Sequence, residues 1–287
     1  MEVGAPTHAT ADEGKIWLIG GTQESAELAR ALADRQMACI VTVTTESARM
    51  LYPVHPCLTV WVGRLTALTF DDFLHQHRVV GVLDASHPFA QEISAGAIAA
   101  AQRQAIPYLR YERPHTPPDS SSTAVVTLPD LDTVFEQGWL VNQRVLLILG
   151  YRWLPKFTPW QSQAVLYARI LPSAIALETA LQAGFTPQRL IALRPPISAA
   201  LEAALWQQWR ITTVIAKASG KAGGEPLKRR LARTLGVRLL LLQRPSIDYP
   251  RTTTQLSAAV EFCRQVCAGA PGDRTAADSC YPYVSLT

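Results

Sequence analysis

Nowhere does this chain of 287 residues hold the ~18 consecutive apolar residues of a membrane span. Met1 to Gly14 also lacks the apolar core of a signal peptide. These two absences set the expectation of a cytoplasmic protein that makes no membrane contact. A large excess of one charge is missing too. The 27 Lys and Arg against 23 Asp and Glu leave a net charge of +4. That is too mild for a nucleic-acid binder, which gathers its cations in one patch or stripe. A small anionic partner suits it better. The five cysteines (Cys39, Cys57, Cys263, Cys267 and Cys280) are odd in number and scattered. Cys263 and Cys267 lie one helical turn apart, but no second pair or nearby His completes a ligand set, so no metal is expected. The thiols read as buried or incidental.

What is present is apolar material in short pieces. The chain is 48% hydrophobic and 17% charged, enough for a sizeable core and for about two domains of roughly 150 residues each. Runs such as Lys15–Ile19, Leu58–Val62, Val79–Asp84, Val165–Ile170 and Thr213–Lys217 alternate with helical patterns such as Glu24–Asp34, Gln91–Gln104 and Leu227–Leu235. Val-, Ile- and Leu-rich strands without alternation are buried on both faces, as in parallel sheets flanked by helices. The expected fold is α/β and doubly wound. By composition, residues 1–14 read as a disordered N-terminus and 15–113 as a first lobe. The Pro- and Ser-rich stretch 114–123 reads as a linker, 124–268 as a second lobe and 269–287 as a flexible tail.

Candidate chemistry falls at strand ends. After Val79–Asp84 come Ala85, Ser86, His87 and Pro88, and in open α/β sheets ligands bind outside the carboxyl ends of the strands. Asp84, Ser86 and His87 are candidate catalytic residues, with His87 either a general acid or a structural donor. The first strand ends in Gly20, Gly21, Thr22, Gln23 and Glu24. This is not the full G-x-G-x-x-G, yet a glycine turn opening a helix suits a pyrophosphate, the other reading being a tight turn with a Thr cap. Thr44 and Thr45, followed by Arg49, suit a ribose 2′-phosphate or a solvated loop. Gly63 and Arg64 close another turn at the same edge.

In the second half, Lys217 ends a strand and is followed by Ser219, Gly220, Gly223 and Gly224. The order is not that of a Walker A loop. Backbone amides beside a cation would make an anion cradle, against a solvated lysine and a plain flexible loop. Arg110, Arg113, Arg152, Arg169 and Arg194 stand near other strand ends, where Arg recognises carboxylates and as often is merely solvated.

In order and spacing, several segments together resemble the precorrin-6A reductases of cobalamin (corrin ring) biosynthesis. They are Gly20-Gly21-Thr22 with Glu24, Gly63-Arg64, Asp84 to Ala90, Leu109 to Pro114, Ala168 to Pro172, Lys217 to Gly220 with Gly223-Gly224, and Arg244-Pro245. The resemblance runs from about Lys15 to Cys267. It departs at Ser86, where the family usually has Thr, and at Pro195 to Ser198, where a Gly-Pro-Phe-Ser-like segment is usual. It implies two Rossmann-like lobes with the active site in the cleft between them, and NADPH, or alternatively NADH, as cofactor. Gly20, Gly21, Thr22, Gln23, Glu24, Thr44, Thr45, Gly63, Arg64, Asp84, Ser86 and His87 would serve the cofactor. Arg110, Arg113, Arg169, Lys217, Ser219, Gly220, Gly223 and Gly224 would hold a polycarboxylate macrocycle, with Lys217 also a candidate catalytic group. Whether that macrocycle carries cobalt stays open, as does a monomer against a weak dimer. Two rivals remain: a two-lobe nucleotide-sugar glycosyltransferase and a non-enzymatic sensor of small anions.

Overall fold

The computed structural model describes residues 14–113 and 124–269. The expected linker lies outside the described residues, as do the expected N-terminal disorder up to residue 13 and the expected flexible tail from 270. The chain first lays down β1 (Lys15–Ile19), α1 (Gln23–Ala33), β2 (Cys39–Val43), α2 (Glu46–Arg49) and β3 (Leu58–Val62). It continues with α3 (Phe70–Gln76), β4 (Val79–Asp84), α4 (Gln91–Arg103) and β5 (Tyr108–Tyr111). β1 pairs in parallel with both β2 and β4, and β2 pairs with β3. Growth of the sheet therefore reverses between β1 and β4.

The lack of alternation in β1 follows from cover on both faces. Ile16 and Leu18 join a cluster with Leu28 and Leu32 of α1, while Trp17 turns the other way onto Phe70 and Phe73 of α3, at 5.9 and 5.2 Å between ring centroids. The indole N–H of Trp17 donates to the Thr42 hydroxyl at 2.9 Å, so its one polar atom is satisfied inside the core.

A second unit follows, with β6 (Val125–Leu128), α5 (Asp132–Glu136), β7 (Arg144–Ile148), a 3-10 segment over Tyr151–Trp160 and β8 (Val165–Ile170). Then come α6 (Ala174–Gln182), β9 (Leu190–Ala192), α7 (Ala199–Gln208), β10 (Thr213–Lys217), α8 (Glu225–Leu235) and β11 (Arg238–Leu242). Its parallel sheet has the order β6-β11-β10-β7-β8-β9, reversing between β7 and β10. The short segment His87–Gln91 also packs with this unit, through Phe89 against its core.

After Asp248 the chain returns to the first unit. β12 (Thr252–Thr253) pairs with β5 to complete the order β12-β5-β4-β1-β2-β3. α9 (Leu256–Ala268) buries Ala259, Phe262 and Cys263 in the same cluster as Ile16 and Leu18. This corrects the expectation that the second lobe runs continuously to 268: residues 249–268 supply the last strand and a covering helix of the first sheet. The doubly wound α/β reading stands, as two parallel sheets flanked by helices. Among the described residues no helix is long and apolar enough to cross a membrane.

Candidate active site

The reversal between β1 and β4 places Gly20 to Glu24 beside Ala85 and Ser86, at a topological switch point of the kind where α/β sheets bind ligands. Thr22 caps α1 in a reciprocal box: its hydroxyl accepts from Ser25 N at 3.1 Å, and Ser25 Oγ accepts from Thr22 N at 3.0 Å. The Thr22 hydroxyl also donates to Ala85 O at 2.9 Å, tying the helix start to the end of β4. Gly21, at φ +95°, donates its amide to the buried Tyr52 hydroxyl at 2.7 Å, and that hydroxyl lies 2.6 Å from Ser25 Oγ. Burial pushes the Tyr52 phenol above its usual range. A Cβ on Gly20 would come within 2.3 Å of the same hydroxyl. The amides of Gly21 and Thr22 are thus bonded within the protein in this structure. Among the described residues the exposed Gln23 amide has no acceptor, and it stands at the positive end of α1.

Asp84 is fully buried and saturated. Its Oδ1 accepts from Ser86 N and Arg110 Nη1, each at 2.9 Å; its Oδ2 accepts from the hydroxyls of Ser94 and Tyr108, each at 2.6 Å. Arg110, equally buried, also donates to Ser86 Oγ at 3.0 Å and lies over the Tyr249 ring at 5.1 Å. Burial first, and Asp84 second, push the Tyr108 phenol far above its ordinary range. In this structure the Asp84 oxygens are taken by four protein donors, and Arg110 Nη1 is turned onto Asp84 and Ser86. Both act by fixing Ser86, whose hydroxyl also lies 3.3 Å from Ser94 Oγ. Next along the chain, half-buried His87 accepts the Phe89 amide on Nδ1 at 3.2 Å, which puts the proton of the neutral ring on Nε2.

Thr44, Thr45, Gly63 and Arg64 lie toward the far edge of this sheet. Thr45 caps α2 by accepting from Ala48 N at 3.2 Å, and Thr44 is exposed. Gly63 makes room for an indole, since a Cβ there would meet the Trp61 ring at 2.5 Å. Arg64 pairs with Glu92 on the surface, where ion pairs contribute little.

In the second unit, Lys217 ends β10 beside β7 and projects its ammonium over two aromatic faces, Phe89 at 5.0 Å and Trp153 at 5.4 Å. Burial, then the charge of Arg152, lowers its pKa to about 8. Among the described residues this ammonium has no hydrogen-bonding or ion-pair partner. The loop after it carries a network of its own. The amides of Ala218, Ser219, Gly223 and Gly224 go to backbone carbonyls, and that of Gly220 goes to Glu225 Oε2 at 2.9 Å. Glu225 stands at the start of α8 as a built-in anion, held in turn by Arg229 at 2.8 Å. Ser219 is buried, and its carbonyl accepts from Arg113 at 3.1 Å. Arg244 adds bonds to Ala218 O at 3.0 Å and to Glu112 at 2.7 Å. Arg169 pairs with buried Glu202, which also accepts from the Trp206 indole at 3.2 Å. Buried Lys228, lowered to about 8 by burial and then by Arg169, donates to Gly223 O at 2.6 Å. Arg113, Arg169, Ser219, Gly220, Gly223 and Gly224 thus support the loop and its surroundings from within. Tyr52, Ser94, Tyr108, Glu225 and Trp153 carry much of this geometry. Nothing local in the sequence marks Tyr52, Ser94 and Tyr108, whose partners lie 8 to 31 positions away, or Trp153, which meets Lys217 from the far side of several elements; Glu225 bonds locally, to Gly220 and Arg229.

Residues 15–264 match the profile of the family described as Precorrin-6x reductase CbiJ/CobK. A cobalt-precorrin-6A reductase of Synechocystis sp. is 46% identical over 253 residues, covering 87% of this chain and 96% of that protein. One from Priestia megaterium is 32% identical over 82% of this chain and 92% of its own length. A precorrin-6A reductase of Rhodococcus erythropolis is 30% identical over 84% and 92%. A solved structure titled CobK precorrin-6A reductase superposes with a TM-score of 0.73 at 24% identity, covering 88% of this chain and 97% of that one, and shares the fold.

Proposed function

The chain belongs to the precorrin-6x reductase family, and on that premise we propose that it reduces a ring double bond of precorrin-6A or its cobalt form to the 6B state. The observation that carries the reading is the family match over nearly the whole described chain, joined to a dinucleotide-type switch point at β1 and β4. The 46% identity to a protein named for the cobalt form makes that macrocycle the first substrate to test.

The first unit fits a dinucleotide through α1, whose positive end and free Gln23 amide suit a pyrophosphate. Exposed Thr44 and Thr45, with Arg49 following, suit the 2′-phosphate of NADPH more than the bare ribose of NADH. When bound, the reduced nicotinamide supplies the hydride. Asp84 and Arg110 hold the Ser86 hydroxyl in place, and His87 keeps a proton on Nε2. Lys217 offers an ammonium to a ring carboxylate, and with a pKa of about 8 it also holds a proton transferable near neutrality. Lys217 is the first candidate donor of the proton that completes the reduction; His87 could donate only as an imidazolium, which requires Nδ1 to give up the Phe89 amide.

Anaerobic incubation with either macrocycle and either nicotinamide tests the whole reading. Cofactor oxidation and a product heavier by two hydrogens are expected with NADPH. Stabilisation by a UDP-sugar, without any turnover, would sink it in favour of the glycosyltransferase reading.

A further inference from the structure

The charge around Lys217 extends beyond Lys217. The 3-10 segment Tyr151–Trp160 follows β7, the strand next to β10, so it stands at the switch point of the second sheet. It carries Arg152 and Lys156, both exposed, and the half-buried indole of Trp153. Lys156 Nζ lies 5.6 Å from the Trp153 ring centroid, and Lys217 Nζ lies 5.4 Å from the same centroid. The sequence holds no Asp or Glu between Glu136 and Glu178. Exposed Asp130 has its carboxyl held below the usual range by the Thr133 hydrogen bonds first and by Lys156 last. Two ammoniums gathered over one indole are complementary to the carboxylates at the rim of a macrocycle. The indole holds the cations by cation–π attraction, and the cations take the rim by charge-assisted hydrogen bonds.

We propose that Trp153, Arg152, Lys156 and Lys217 form the second unit's binding site for a conjugated, carboxylate-rimmed macrocycle, with Phe89 as the positioning residue that holds the Lys217 ammonium in line. The proposal rests on the reductase reading above and relocates macrocycle recognition from the glycine loop to the 3-10 segment. Phe89 reaches this place because His87–Gln91 packs with the second unit. The segment that follows Ser86 thus also supplies one wall for Lys217.

The test is an anaerobic titration of cobalt-precorrin-6A without reduced cofactor, beside a separate titration of NADPH. Arg152→Gln with Lys156→Gln should weaken macrocycle binding about tenfold or more, the scale of losing charged hydrogen bonds, and leave NADPH binding within roughly twofold. Trp153→Leu should weaken macrocycle binding similarly and Trp153→Phe should restore most of it, a rescue that a fold defect would not show. For Phe89→Leu, the KM for the macrocycle should rise with kcat little changed, and Phe89→Tyr should restore it. Macrocycle binding that survives all of these substitutions overturns this site alone. Failure of the unsubstituted protein to bind either macrocycle overturns the reductase reading, and this site with it.

Discussion

Lys217 is charged only while its ammonium is worth more against two aromatic faces than its desolvation costs. With a pKa near 8, the charge is present below that value and is lost as pH rises through it. Macrocycle affinity should therefore fall above about pH 8, while NADPH affinity stays flat across the same range. Lys217→Arg should carry the fall to higher pH, because a guanidinium keeps its charge; titrations at several pH values read both effects. Tyr52 sets up a second residue-scale test. Tyr52→Phe removes the acceptor of the Gly21 amide and one partner of Ser25 Oγ, which keeps Thr22 O, at a cost of about 0.5–1.5 kcal/mol, the net worth of a hydrogen bond. Weaker NADPH binding with unchanged macrocycle binding is expected; equal NADPH affinity in the two proteins would show that the turn needs no such support.

At the scale of elements, β4 ends in a charge pair that the protein cannot give up. Asp84→Asn leaves the Arg110 guanidinium buried beside a neutral amide, and breaking a buried pair costs about 3–5 kcal/mol. The variant should melt far below the parent. A folded, merely inactive Asp84→Asn protein, judged by its melting curve, would return Asp84 to a catalytic role. The strands themselves were legible: Lys15–Ile19, Leu58–Val62, Val79–Asp84, Val165–Ile170 and Thr213–Lys217 form as their apolar runs predict. The roles at their ends were less so. A glycine turn after a strand looks the same in sequence whether its amides face a phosphate or a tyrosine hydroxyl from beyond the next strand. An arginine at a strand end gives no sign that, like Arg110, it pairs inward. β12, two residues long, leaves no periodic pattern to read.

For the whole molecule, two sheets reverse direction at equivalent central strands, but only the first takes a strand from outside its own run. Its sixth strand, β12, comes from the far side of the second unit, whereas the second sheet uses the six consecutive strands β6 to β11. Phe262 measures what that return is worth. Phe262→Ala, in a helix formed more than 150 positions after β5, should cost about 3–5 kcal/mol by the usual scale for buried aromatics. Hydrogen exchange should quicken at the amides of β1 and β4 and stay slow at those of β7 and β10. Equal acceleration in both sheets would mean that the two units unfold as one.

That returning helix also bears on synthesis. Until Leu256–Ala268 has left the ribosome, one face of the first sheet has only part of its cover, although its first five strands were made long before. The nascent chain must carry that apolar surface while the whole second unit is made, so chaperone dependence should be greatest late in translation.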